Sequence, residues 1–335
     1  MWAEIGCGTM RENGDDLDLL LAAIKPRDEV HALFANASPH PALAAWGPRL
    51  DCRQDWKPDA DALAQAGAKL VEAAIGPYDA AFVRLQRQRQ RHLGTLARAL
   101  AALKPGGILA VCGPNAMGGA RLADDLAEMG VEGKSTSKHK CRLVVAARPA
   151  KLDLARFVDL DAPREVPAIG AQSAPGVFAW DRIDPGTNLL LETLPPLTGH
   201  IADLGAGWGA LARAILARNP GTTLDAYEAD AVAVACLRAN LPGVAAQWHD
   251  VTKGLPHKGY DAIVSNLPFH DARGENRALA AAFAAKAAEA LKPGGAFYAV
   301  ANAHLPYEKT LDTVFIRVER LAERGGYKAF RCSRS

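Results

Sequence analysis

The sequence has no uninterrupted apolar run long enough to cross a bilayer, so it predicts no membrane span. Its first residues, MWAEIGCGTMREN, lack both a basic patch and a sustained apolar stretch, which predicts no secretory signal and a cytoplasmic location. Cysteines are few and scattered (Cys7, Cys52, Cys112, Cys141, Cys236, Cys332), with no C-x-x-C pair and no histidines at zinc-ligand spacing. Inert thiols are expected, with neither a disulfide framework nor a metal. One-sided charge is missing as well. A formal net charge of +2 over 335 residues marks no strongly basic domain, so any nucleic-acid contact has to be local.

The length favours two domains, and the sequence contains a repeat that supports this. Tyr78-Asp79-Ala80 and Tyr260-Asp261-Ala262 each begin an apolar run. Each is followed by an alanine-rich helical stretch and then by Leu-Lys-Pro-Gly-Gly, at 103–107 and at 291–295. Both pentapeptides lead into strand-like runs, and a lysine follows 37 positions after each leucine, Lys140 and Lys328. Between the copies, residues 149–176 carry Pro149, Pro163, Pro167 and Pro175 with little periodicity, which reads as an inter-domain connection. The expected boundary lies near residue 165, giving domains 1–165 and 166–335. Helical and strand patterns alternate in each half, predicting α/β domains with mostly parallel sheets. The last segment, FIRVERLAERGGYKAFRCS, reads instead as an antiparallel hairpin around Gly325-Gly326.

In the second half, the strand ending at Asp203-Leu204 is followed by glycines at alternate positions, Gly205, Gly207 and Gly209, and then by a helix. Such a loop lets the backbone approach a ligand, and the helix start offers N–H donors. The spacing lacks the last glycine of the dinucleotide pattern G-x-G-x-x-G, which argues against NAD. Glu228 closes the next strand, where an acid meets ribose hydroxyls in doubly wound folds, and Asp250 follows the strand after that. This order, together with the terminal hairpin, resembles the class I S-adenosylmethionine-dependent methyltransferase fold. The resemblance implies that Asp203 and the glycines line the methionine and sugar of the cofactor, that Glu228 holds the ribose, and that Asp250 lies near the adenine.

The run ending Asn266-Leu267-Pro268-Phe269 places an amide, a proline and an aromatic ring after the fourth strand. An exocyclic amine is a poor nucleophile until acceptors hold its hydrogens. The Asn266 side-chain oxygen and the Leu267 carbonyl would be two such acceptors. Pro268 would stiffen the turn, and Phe269 offers a face on which an extruded base can stack. The run resembles the N-P-P-[FYW] motif of amino-methyltransferases, with Leu267 in place of the first proline. That change keeps the carbonyl, loosens the turn and adds an N–H, so restoring proline is expected to be neutral or activating.

Pro175-Gly-Val-Phe178, Asp184-x-Gly186-Thr187, the glycine loop, NLPFHD and the Asn302-to-Tyr307 stretch together resemble bacterial ribosomal RNA guanine-N2-methyltransferases of the RsmC type. The resemblance is close over residues 175–335 and extends to the first half only in plan. It implies two tandem Rossmann-like class I methyltransferase domains, each with a mostly parallel seven-stranded sheet and a terminal antiparallel hairpin, the N-terminal copy being degenerate. It further implies S-adenosyl-L-methionine as cofactor, small-subunit ribosomal RNA as substrate, and Phe178, Asp184 and Thr187 near the methyl donor. A helix cap and a hydrophobic staple are the alternative roles for those three. The first half reads FANASPHP where glycines would stand and VRLQRQRQRH where the amide motif would stand. Arg84, Arg87, Arg89 and Arg91 there could hold RNA phosphates, or could form a solvated face. Two like domains in one chain already form a pseudo-dimer, so a monomer is expected. Large-subunit guanine, adenine N6, a protein glutamine amide and a non-catalytic assembly role stay open as alternatives.

Overall fold

A computed structural model describes residues 15–268 and 275–334. The chain divides into two compact units, Met1–Ala162 and Pro163–Ser335. In the first unit the strands are β1 (Ala32–Ala35), β2 (Leu50–Arg53), β3 (Lys69–Leu70), β4 (Tyr78–Arg84), β5 (Leu103–Pro114), β6 (Gly133–Lys138) and β7 (Cys141–Ala147). They form one sheet in the order β3-β2-β1-β4-β5-β7-β6, parallel except where β7 joins β5 and β6. The second unit opens with a small hairpin, β8 (Arg164–Val166) and β9 (Ala171–Ser173). Its main sheet contains β10 (His200–Leu204), β11 (Thr223–Glu228), β12 (Ala245–Trp248), β13 (Tyr260–Asn266), β14 (Leu291–Asn302), β15 (Arg317–Arg324) and β16 (Tyr327–Ser333). The order β12-β11-β10-β13-β14-β16-β15 reproduces the first sheet strand for strand. The tandem Rossmann-like reading therefore holds.

Each sheet is buried on both faces, which is why its central strands are apolar at nearly every position. In the first unit Leu33, Ala81 and Val83 face one core, and Phe34, Phe82 and Cys112 face the other. Ile263 and Phe297 divide in the same way from Val264 and Val300 in the second unit. Among the described residues no helix is long and apolar enough to cross a membrane. The described cysteines are all buried, and none of them forms a disulfide. Burial is the main cause that pushes the Cys52, Cys112 and Cys332 thiols up to about 12.

The repeated residues lie where the sheets need them. Asp79 accepts the His31 backbone N–H (3.0 Å) and the Lys104 ammonium (2.6 Å). Asp261 accepts the His200 backbone N–H (2.8 Å) and the Lys292 ammonium. These lysine hydrogen bonds are the main reason both carboxyls sit below the usual range. The Tyr78 hydroxyl donates to Asp51 (2.8 Å) as the Tyr260 hydroxyl donates to Asp225 (2.6 Å). The pentapeptides are strand starts with an irregular register, between Tyr78 and Ala80 in one sheet and between Tyr260 and Ala262 in the other. Gly106 and Gly294 adopt φ of 78° and 77° there, which only glycine reaches without strain.

Two sequence expectations need correction. The 37-residue lysine spacing is coincidental, since Lys140 has φ 58° in a turn while Lys328 lies within β16. Residues 164–173 form the β8–β9 hairpin rather than a bare connection. Val166, Ile169 and Ala171 bury themselves against Trp208, Ala233 and Cys236, so this segment belongs to the second unit.

Candidate active site

The carboxyl ends of β10, β11, β12 and β13 converge where open parallel sheets bind ligands. After β10, Gly205, Gly207 and Gly209 have φ of 71°, 56° and 97°, so the alternate glycines are a backbone requirement. Their donors are largely spent within the protein. Gly205 N–H bonds the Tyr227 carbonyl (2.8 Å), Gly207 N–H bonds Glu228 (2.8 Å), and Gly209 N–H bonds the Ala206 carbonyl (2.9 Å). What the loop leaves for a ligand is mainly space. A Cβ on Gly207 would meet nothing within 4 Å, and one on Gly205 would meet only the Phe283 ring, at 3.5 Å.

Asp203 is fully buried at the end of β10. One oxygen accepts the Ala212 N–H (3.2 Å) near the start of helix Ala210–Arg218, and the other, Oδ1, has no partner among the described residues. Burial pushes its pKa up to about 7, with the Glu228 charge adding to the effect. Glu228 closes β11 and accepts backbone N–H groups from Gly207 and Asp230, both at 2.8 Å. Burial raises its pKa as well. A carboxylate has about four acceptor sites, so Glu228 can brace the loop and still meet hydroxyls. Asp250 is buried and caps the short turn Val251–Lys253, accepting Thr252 N–H (3.0 Å) and hydroxyl (2.7 Å). An orphaned buried carboxylate oxygen, a strand-end acid and an open glycine turn fit a cofactor with a cationic group, a ribose and little room for side chains.

Asn266 ends β13 beside this loop. Its side-chain nitrogen donates to Asp184 Oδ2 (2.9 Å) and to Thr187 Oγ1 (3.0 Å), while its Oδ1 is buried without a partner among the described residues. The adjacent Leu267 is buried, and its N–H donates to the Val300 carbonyl (2.9 Å). A proline at 267 would forfeit that bond, which corrects the expectation that proline would be neutral or activating. Pro268 follows and is partly buried. Phe269 lies outside the described residues. Asp184 caps helix Pro185–Thr193 by accepting the Thr187 N–H (3.0 Å), so the capping role holds for it. Phe178 is 56% exposed. Its neighbour Ala179 has φ 47° and accepts a hydrogen bond from the Trp208 indole (3.3 Å), which ties this segment to the glycine loop.

Two positioning groups were missed from sequence. Asn240 donates to the Trp208 and Gln172 carbonyls (both 2.9 Å), tying the glycine loop to β9. The Tyr327 hydroxyl faces Asp184 Oδ1 at 3.4 Å. Neither carries a local motif, because topology alone brings them there.

The four first-unit arginines do not form a row of unengaged cations. Arg84 donates to Asp16 (2.8 Å), Arg89 to Asp125 (2.7 Å) and Glu128 (3.1 Å), and Arg91 pairs with Asp55 (3.4 Å). Arg87 is exposed. Among the described residues no group of three or more His, Cys, Asp or Glu side chains could hold a metal ion.

This arrangement of sheet, glycine turn, strand-end acid and amide is that of a class I methyltransferase domain, and residues 169–331 match the family model described as the methyltransferase small domain. The protein is 32% identical to ribosomal RNA small subunit methyltransferase C of Pseudomonas paraeruginosa over 334 residues, covering 92% of this chain and 99% of that one. The chain belongs to this family. It is also 39% identical to the protein of that name from Shewanella loihica over 159 residues, a match spanning about half of each chain (46% and 46%). The solved structure described as Thermus thermophilus 16S rRNA N2 G1207 methyltransferase with AdoMet and guanosine shares the fold, with TM-score 0.79 and 24% identity over 97% of this chain and 93% of that one.

Proposed function

We propose that the second unit transfers the methyl group of S-adenosyl-L-methionine to the exocyclic N2 amine of a guanine in ribosomal RNA, in the small subunit. The observation that carries this reading is the buried Oδ1 of Asn266, without a partner among the described residues, next to a glycine loop and ribose-type acid. The cofactor supplies an electrophilic methyl on a good leaving group, so little acid–base help is needed and alignment dominates. In this reading Glu228 and the glycine loop seat the sugar, and Asp203 and Asp250 face the methionine and adenine ends. Asn266 Oδ1 and the Leu267 carbonyl each accept one amine hydrogen, which draws the nitrogen toward tetrahedral geometry and takes its lone pair out of conjugation with the ring. The held amine nitrogen would receive the methyl with the cofactor's sulfur as leaving group, and its surplus proton would pass to water. Pro268 and Phe269 would frame the extruded base. The relatives' shared name supports ribosomal RNA as the substrate.

The first unit lacks these groups and is assigned to holding RNA, with exposed Arg87 its first candidate contact. The reading places the protein as a monomer with cytoplasmic ribosomes. Incubation with labelled cofactor and 16S ribosomal RNA or small subunits from a strain lacking this gene, followed by nucleoside analysis, tests it. N2-methylguanosine is expected. N6-methyladenosine or methylglutamine in its place would move the substrate, and tight cofactor binding with no transfer to any acceptor would leave only a scaffold role.

A further inference from the structure

Sequence resemblance set Asp184 and Thr187 beside the methyl donor, yet both bond Asn266. We infer that Asp184 and Thr187 are positioning residues for the Asn266 side-chain amide: Asp184 sets the one orientation that leaves Oδ1 facing the substrate amine, and Thr187 helps to hold the amide there. This rests on the function proposed above. An asparagine amide can be turned either way about its last bond, and only one way serves an amine, which has hydrogens to give. Thr187 Oγ1 does not decide between them, because a hydroxyl both donates and accepts. Asp184 does, because an ionised carboxylate has no hydrogen to offer. With the nitrogen toward it there is a charge-assisted hydrogen bond at 2.9 Å, and with the oxygen toward it two acceptors would collide.

The carboxylate is itself held. Asp184 is buried, its Oδ2 also takes the Thr187 N–H (3.0 Å), and its Oδ1 faces the Tyr327 hydroxyl (3.4 Å). Gly186 permits this closeness, since a Cβ there would lie 2.6 Å from the Tyr327 ring and 2.9 Å from Asp184 Oδ2. The first unit uses the same device, with Asp16 near the start of helix Asp15–Ala22 accepting from Arg84 at the end of β4 (2.8 Å).

Thr187→Val removes the hydroxyl while leaving the capped N–H. Asp184→Asn keeps a capping oxygen but adds a donor that tolerates the wrong amide orientation. In steady-state kinetics each should lower kcat by about tenfold to a hundredfold, the scale of a small misplacement, with cofactor affinity within about twofold of wild type. Thr187→Ser should recover most of the loss seen in Thr187→Val. In protein labelled with nitrogen-15 asparagine, the Asn266 side-chain signal, identified by its disappearance in Asn266→Ala, should exchange with solvent faster in both variants. Unchanged kcat and exchange, or cofactor affinity lowered in step with kcat, would overturn the assignment. If wild-type protein transfers no methyl, the functional reading fails, and the exchange measurement still decides whether Asp184 and Thr187 hold the amide.

Discussion

Superposing the two sheets by strand register sets three acids or amides of the second half against three replacements in the first. β1 and β10 pair with their neighbours so that Phe34 occupies the position of Asp203. Gln54, just past β2, stands where Glu228 closes β11, and Arg84 stands where Asn266 closes β13. The geometry around them persists. Gln54 Oε1 accepts the N–H two residues on, at Trp56 (2.8 Å), as Glu228 does at Asp230 (2.8 Å). Its amide nitrogen donates to the Ala37 carbonyl of the loop, where Glu228 instead accepts a loop N–H. Asn36 takes a φ of 53° where Gly205 takes 71°. A fold can therefore lose a site by changing what its strand ends offer while keeping the conformation of only the first residue of the glycine turn, since His40 has φ −155° where Gly209 has 97°.

The comparison can be broken or sharpened by exchanging these residues. The largest effect is expected from Asn266→Arg, which copies the first half. The new guanidinium has Asp184 to pair with, so folding and cofactor affinity should hold while methyl transfer falls by about a thousandfold, as for loss of a main polar contact to the reacting group. Retained turnover would show that the amide is not the acceptor. Glu228→Gln, again the first-half residue, keeps an oxygen for the loop but loses the charge. Calorimetry should show cofactor affinity lower by about tenfold to a hundredfold, the loss of one charged hydrogen bond.

The Asp203/Phe34 contrast gives a pH prediction. Asp203 is pushed up to about 7 by burial, so the folded protein holds this proton at pH values where the unfolded chain has released it. Its contribution to stability is favourable at low pH and is lost as pH rises from the ordinary Asp value toward 7. Affinity for the cationic cofactor should rise over the upper part of that window, as Asp203 ionises, and level off above it. A flat pH profile would detach Asp203 from the cofactor. Leu267→Pro is expected to cost about 1 kcal/mol, read as a lowered Tm, because the Val300 carbonyl loses its donor. The Leu85 N–H makes the same bond to the Cys112 carbonyl (2.9 Å), so the leucine follows the pattern of the first half. The smallest effect should come from replacing Arg84, Arg87, Arg89 and Arg91 together by alanine. With three of them held by carboxylates, the salt slope of RNA binding should change by about one contact, roughly 0.7 to 0.9, rather than four.

Much of this was legible in the sequence because glycine turns, strand-end acids and the Asn-Leu-Pro run are local signals with local causes. The duplication was legible too, since Tyr-Asp-Ala and Leu-Lys-Pro-Gly-Gly keep their identity through the bonds of Asp79, Asp261 and their lysines. The sequence did not reveal long-range partnership. Asp184 lies 82 positions from Asn266 and 143 from Tyr327, and no spacing rule connects them. The arginine run misled for the same reason, because Asp16, Asp55 and Asp125 are remote in sequence from the guanidinium groups they engage.

The aspartate–lysine clasps sit at the amino ends of the central strands, whereas the groups suited to chemistry sit at the carboxyl ends. Anchorage and reactivity are thus divided between opposite rims of each sheet. For protein engineering this makes the first half a prepared blank. Glycines in place of Asn36 and its neighbours, an acid at Gln54 and an amide at Arg84 could be written onto one rim without disturbing the clasps that hold the other.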